Sequence, residues 1–236
     1  FFRTGWPSAV RSLWKETLVC WALMGLAAVV AFLLVRSDPS WFYSIIPAEL
    51  AGGRDPSASA ESLRGTLYDS PDHFLSTFAA YLFTHNSQVA ILSFALGFAF
   101  AVPTVLLMLY NGLMLGAFFA VFNAKGLGLN LAGWLMIHGT TELFAIAIAG
   151  GAGLRIGGAI AFPGRLSRMA AAVKAGRSAA TAMIGVVIML AVAGLLEGIG
   201  RQTITDDLTR FIIGWSMLTL WVLYLYVLGR GGSRTE

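Results

Sequence analysis

Charge is what this chain of 236 residues has least of. Only 12% of its residues are Asp, Glu, Lys or Arg, about half the share an ordinary soluble domain carries. With 57% hydrophobic residues and a mean hydropathy of +0.75, the chain cannot clothe a soluble surface. Its apolar runs have the length of spanning helices, not of barrel strands. Cysteine is nearly absent too. Cys20 stands alone inside an apolar run, which rules out a disulfide framework within the chain. Three histidines, His73, His85 and His138, are too scattered for a four-ligand zinc site, and no His-Glu-x-x-His pattern occurs. There is no P-loop, dinucleotide fingerprint, nucleophile elbow or basic-aromatic surface. No metal, no cofactor, no nucleic-acid partner and no catalytic constellation are therefore expected. The numbering begins at Phe1, so the true N-terminus is expected to lie upstream, and the first apolar run can act as a signal anchor.

Six apolar stretches fill the rest, at about 17–35, 88–102, 104–122, 131–153, 179–196 and 211–228. They predict an all-α polytopic transmembrane bundle forming a single membrane domain over 1–236. Between the first two lies a polar outer loop, 37–73, with six acids, two arginines and the turn chemistry of Gly52-Gly53 and Asp55-Pro56-Ser57. The polar break Thr84-His85-Asn86-Ser87-Gln88 is compatible with two arrangements: a short span over 88–102, or one long helix over 74–102. Pro103 then marks a turn or kink. Residues 155–177 carry Arg155, Arg165, Arg168, Lys174 and Arg177 and no acid. Leu166, Met169, Ala170 and Val173 share a helical face there, so a basic amphipathic helix at about 163–177 is expected on the membrane surface. Its cations would meet lipid headgroups, with Arg155 snorkelling to phosphate.

Positive-inside asymmetry orients the bundle. Basic segments fall on one side and acidic loops on the other only if the number of spans is even. Both termini are then expected in the cytoplasm of a bacterial or archaeal inner membrane.

The chemically conspicuous stretch is His138-Gly-Thr-Thr-Glu142, one helical turn in the middle of the fourth span. Ionisable groups at that depth must face protein or water. With Asn86 and Asn111 they form the expected intramembrane polar cluster, read either as a packing device or as the lining of a path. Asn111 is expected to bond a neighbouring helix, with His138 and Glu142 as candidate partners. Gly112 with Gly116, Gly153 with Gly157, and Gly194 with Gly198 have the small-xxx-small spacing that lets helices approach closely. Glu197 reads as a solvated carboxylate at the outer end of the fifth span. Trp215, Trp221, Tyr224 and Tyr226 read as lipid-facing or boundary anchors.

Tyr110-Asn-Gly-Leu-Met-Leu-Gly116 together with His138-Gly-x-x-Glu142-x-x-Ala145 and the run Gly153-Leu-Arg-Ile-Gly157 resembles the stage II sporulation protein M family. The likeness is close over roughly 85–157, and Asn86 opening an apolar run before Pro103 also fits it. Position 144 is Phe where the resemblance leads one to expect Pro or Thr, which implies a less kinked helix. The resemblance implies an envelope membrane protein that works with protein partners. The family's namesake acts with peptidoglycan-degrading partners in engulfment, and some relatives resemble companions of cytoplasmic AAA+ ATPases. The favoured expectation is therefore a non-enzymatic scaffold or assembly factor in cell-envelope remodelling, contacting membrane lipids; its small-residue faces suit either a homodimer or packing within the chain. The alternative is a transporter or channel for a small solute, ion or lipid, with His138, Glu142 and Asn111 lining the path.

Overall fold

The computed structural model describes residues 1–68, 74–200 and 203–228, with side chains from 84 onward in the second of these stretches. Every regular element among them is helical. A short helix α1 (Gly5–Ser12) leads into α2 (Trp14–Ser37). The segment that follows, here termed outer for the side of the membrane on which it is expected, folds into three small helices, α3 (Trp41–Ile45), α4 (Ala48–Ala51) and α5 (Ala60–Tyr68). The long elements come next: α6 (Phe74–Ala95), α7 (Val102–Ala124), α8 (Gly128–Ala161), α9 (Arg168–Leu195) and α10 (Asp207–Val222). Single π-type turns extend α9 over Leu196–Gly200 and α10 over Leu223–Val227.

Among the described residues five helices are long and apolar enough to cross a membrane: Trp14–Ser37, Val102–Ala124, Gly128–Ala161, Arg168–Gly200 and Asp207–Val227. The chain is a multi-pass membrane protein. The count is one short of the six expected, and the difference lies at 88–102. Residues 74–95 form one helix through the polar break, which dilutes its apolar content. A 3₁₀ turn (Leu96–Phe98) ends it. Phe100 and Ala101 then take left-handed backbone, φ 57° and 64°, which reverses the chain. Pro103 sits in the first turn of α7, where its missing N–H costs nothing.

The basic stretch also differs from expectation. It is no separate surface helix. Ser167 caps α9, its Oγ accepting from the Ala170 N–H at 3.2 Å, and the helix runs unbroken to Leu195, because no Pro interrupts it. Arg165, Arg168, Lys174 and Arg177 are all exposed around the start of this spanning helix. Leu166, Met169 and Val173 are exposed beside them.

Helix α8 is the hub. It packs against α2, α6, α7, α9 and α10, and 67% of its most apolar window is buried, against 22–44% for the other four spans. Its C-terminal half, here termed inner because it lies away from the outer segment, is glycine-rich, and there the neighbours close in. A Cβ at Gly153 would run into the Ser93 carbonyl, and one at Gly157 into the backbone of Ala101 and Gly97. Gly112 and Gly116 of α7 do the same work against the Met24 and Ala28 carbonyls of α2. Gly198, by contrast, opens on free space, so the Gly194–Gly198 spacing makes no close contact there. The tight glycine in that region is Gly200, against Ile137.

Candidate functional site: a polar cavity in the outer half of the bundle

The outer half of α8 carries large side chains where the inner half carries glycines, and space remains beside it. A cavity of about 150 Å³ is bounded by α4, α5, α6, α7 and α8. Along α8 its walls run from Leu131 to Ile146, about 22 Å at 1.5 Å per residue. The walls are mainly apolar, with Met114, Phe118 and Trp134 among them. The polar groups include Asn86, Asn111, His138 and Glu142, all four of the expected cluster, and Arg54 of the outer segment.

His138 and Glu142 are buried, 3% and 7% exposed. The His138 ring meets Trp134 edge to face, centroids 5.5 Å apart. The Glu142 carboxylate accepts a hydrogen bond from the Asn86 amide and lies within electrostatic reach of Glu197. Glu197 is 3% exposed, so it is buried near the cavity without lining it, and is not the solvated boundary group its position suggests. The π-type turn over Leu196–Gly200 carries it and packs on both α6 and α8. Asn111 departs from expectation as well. Its amide donates to the Leu107 carbonyl of its own helix at 2.8 Å, which satisfies the donor locally and leaves Asn111 as a wall of the cavity, not a link to His138 or Glu142. Among the described residues no three His, Cys, Asp or Glu side chains gather as a metal ion requires.

A clasp holds the outer segment over this cavity. Tyr68 donates its hydroxyl proton to the Asp207 carboxylate, with O–O distances of 2.6 and 2.8 Å. Asn130 donates to the Tyr68 oxygen at 2.6 Å and to Asp207 at 2.9 Å. Arg210, fully buried, donates to the Leu67 carbonyl at 2.8 Å and the Ile204 carbonyl at 2.9 Å. Its guanidinium also lies 4.8 Å from the Tyr68 ring centre, a cation–π distance. Burial first, and then the Asp207 carboxylate, push the Tyr68 phenol above its ordinary pKa. The clasp ties α5 to the outer ends of α8 and α10. No pattern in the sequence joins these residues; the one local hint is Asp207 and Arg210 at helical spacing. Arg54, at the cavity wall, donates to the Leu50 and Ala51 carbonyls at 3.0 and 3.2 Å and lies over Phe118.

At the other end of the bundle Arg155 does not reach for lipid. It forms a two-pronged ion pair with Glu16, at 2.6 and 3.0 Å, and donates to the Ser12 carbonyl. Half-buried beside a carboxylate on α2, the guanidinium finds a better partner inside the protein than in the headgroup layer. Trp221 is likewise inward, 6% exposed, with its Nε1–H bonded to Thr141 Oγ1 at 3.0 Å, whereas Trp215 is exposed. His73 lies outside the described residues.

Residues 18–200 match the stage II sporulation protein M family. The chain belongs to that family. The match takes in α2 through the π-type turn that bears Glu197, so every polar residue of the cavity falls inside the stage II sporulation protein M region. It reaches well beyond the 85–157 stretch that carries the recognisable motifs. No curated protein and no solved structure matches the chain.

Proposed function

We propose that this stage II sporulation protein M family member is a non-enzymatic membrane transporter or channel that passes a small ion, the proton first of all, through the cavity beside α8. The observation that carries this reading is that the cavity reaches His138 and Glu142. Two buried carboxylates, Glu142 and Glu197, then stand within electrostatic reach of each other. Placing two negative charges together in a low-dielectric site is costly. The pair is eased by a shared proton or a bound cation, which is what a relay inside a membrane needs. The volume, about 150 Å³, suits an ion and its waters and is too small for a lipid. The cavity thus puts transport ahead of the scaffold role.

Proton uptake into dye-loaded proteoliposomes under an imposed membrane potential tests the reading. Wild type is expected to exceed protein-free vesicles, and Glu142→Gln to abolish uptake while the protein stays folded. Uptake equal to that of empty vesicles would overturn the proposal.

The second reading is the scaffold or assembly factor in envelope remodelling, with envelope proteins or a cytoplasmic AAA+ ATPase as partners. Family membership favours it. On that reading the polar cluster is structural, and Glu142→Gln retains function wherever it retains stability. Cytoplasmic placement of both termini belongs to either proposal, and requires α6 to cross as a sixth span. Cysteine labelling at Ser57 from the outer side and at Ser178 from the inner side is the expected pattern.

A further inference from the structure

We infer a second site: an anionic phospholipid seated in the crevice between α2 and α10, with its phosphate on Arg11. The crevice, about 610 Å³, exists because α2 and α10 both lean on α8 without substantial packing on each other. Its floor is Phe144 of α8, stacked on Tyr226 with ring centroids 6.3 Å apart. Leu18 and Trp21 line one wall, and Trp14 stands half exposed at the rim. This is a slot of acyl-chain character that no side chain fills.

Its polar end is equally specific. α2 begins at Trp14 and the last span ends at Val227, so two spans finish side by side at headgroup level. Arg11 sits there on α1. Its Nη1 donates to the Leu225 and Leu228 carbonyls at 3.1 and 3.2 Å, closing the end of the last helix. Its Nε and Nη2 make no hydrogen bond among the described residues, so the guanidinium is fixed in place with two donor nitrogens left. A lipid phosphate is the acceptor that geometry suits. Lys15, 5.6 Å from the Trp14 ring centre, adds positive charge. The nearby acid, Glu16, is already paired with Arg155. That imbalance selects an anionic headgroup over a zwitterionic one. Aromatic rims, an apolar slot and a held guanidinium at one depth match a lipid from head to tail. None of these features is used by the cavity, so this inference stands whether or not the transport reading does.

The test uses the full chain in detergent, read by native mass spectrometry and by melting temperature. The probes are dioleoylphosphatidylglycerol, dioleoylphosphatidylcholine, monoolein and inorganic phosphate. Phosphatidylglycerol is expected to stay bound as a single copy, about tenfold tighter than phosphatidylcholine, and to raise the melting temperature. Monoolein and inorganic phosphate alone do not. Arg11→Gln is expected to bring the two phospholipids to equal affinity. Because Arg11 also caps the last helix, Leu18→Trp serves as the second variant: it fills the slot, leaves the cap intact, and is expected to lose the bound lipid with unchanged melting in lipid-free detergent. Phosphatidylglycerol held as in wild type by Leu18→Trp, or inorganic phosphate stabilising as well as the lipid does, overturns the inference.

Discussion

The two halves of α8 are built from opposite materials. From Gly150 to Gly157 the helix offers glycine to its neighbours, and α2, α6 and the start of α7 come in until backbone meets backbone. From Leu131 to Ile146 it offers Trp134, Leu135, His138 and Glu142, and on that side α4 to α7 stand off around a cavity, while Gly214 of α10 packs on Met136 behind it. Without a hydrophobic force between helices in lipid, close backbone approach is what holds them. The inner half is therefore where α8 is held most closely to α2, α6 and the start of α7. The outer half is free to keep a space, because a clasp between α5, α8 and α10 roofs it. Stability lives in one half and the candidate chemistry in the other.

Breaking the inner half should have the largest effect. Gly153→Leu drives a side chain into the Ser93 carbonyl and Thr104. Neither can yield, so a loss of about 3 kcal/mol or more is expected in a reversible unfolding assay, at or beyond the usual range for overpacking. Gly116→Leu, which breaks the separate α2–α7 contact at the Ala28 carbonyl, should approach it. Wild-type stability in Gly153→Leu would mean that the two halves of α8 are held alike. Next comes the cluster itself. Glu142→Ala leaves Asn86 without its acceptor and should cost about 1–3 kcal/mol, whereas Glu142→Gln keeps the shape and should cost less. Reversal of that order would show that charge, not hydrogen bonding, carries Glu142's structural part.

The clasp ranks third. Tyr68→Phe removes the donor to Asp207 and the acceptor for Asn130, a loss of about 1 kcal/mol. It should show up as faster proteolysis within α5 and not as global unfolding. The pH dependence has a fixed sign. The folded pKa of Tyr68 is raised, so its contribution is fully present below the ordinary tyrosine value near 10.0. It is lost as pH climbs through the higher folded value. Smallest of all is Glu16→Gln. The pair with Arg155 is partly solvent-exposed and screened, which limits the effect to about 1 kcal/mol or less.

Much of this plan is legible in the residues themselves. Two ionisable groups a helical turn apart in an apolar run must share a face and avoid lipid, and both line the cavity. The spacing of Gly112 and Gly116 announces a close neighbour, though not which one. The illegible part depends on pairing between distant segments. Glu197 closes an apolar run, a position that suggests solvent, and only the packing of α9's final turn against α6 and α8 buries it. Arg155 has the placement of a snorkelling residue until α2 brings Glu16 alongside. Asn111 bonds its own helix, an option open to any helical Asn that spacing cannot rule out. The basic stretch has the composition of a surface helix, whereas the cap at Ser167 and the lack of a later breaker make it the start of α9.

The cavity in the outer half is the claim on which the functional reading turns, and a single cysteine tests it most directly. Gly139 lines the cavity, and a side chain there would meet only Leu135 at an ordinary contact distance, 3.7 Å. With Cys20 replaced by alanine, Gly139→Cys should react with a small hydrophilic thiol reagent added from the outer side. Ala145→Cys, on the same helix but outside the cavity and fully buried, should not. A folded Gly139→Cys as inert as Ala145→Cys would contradict the account, leaving both halves of α8 equally closed.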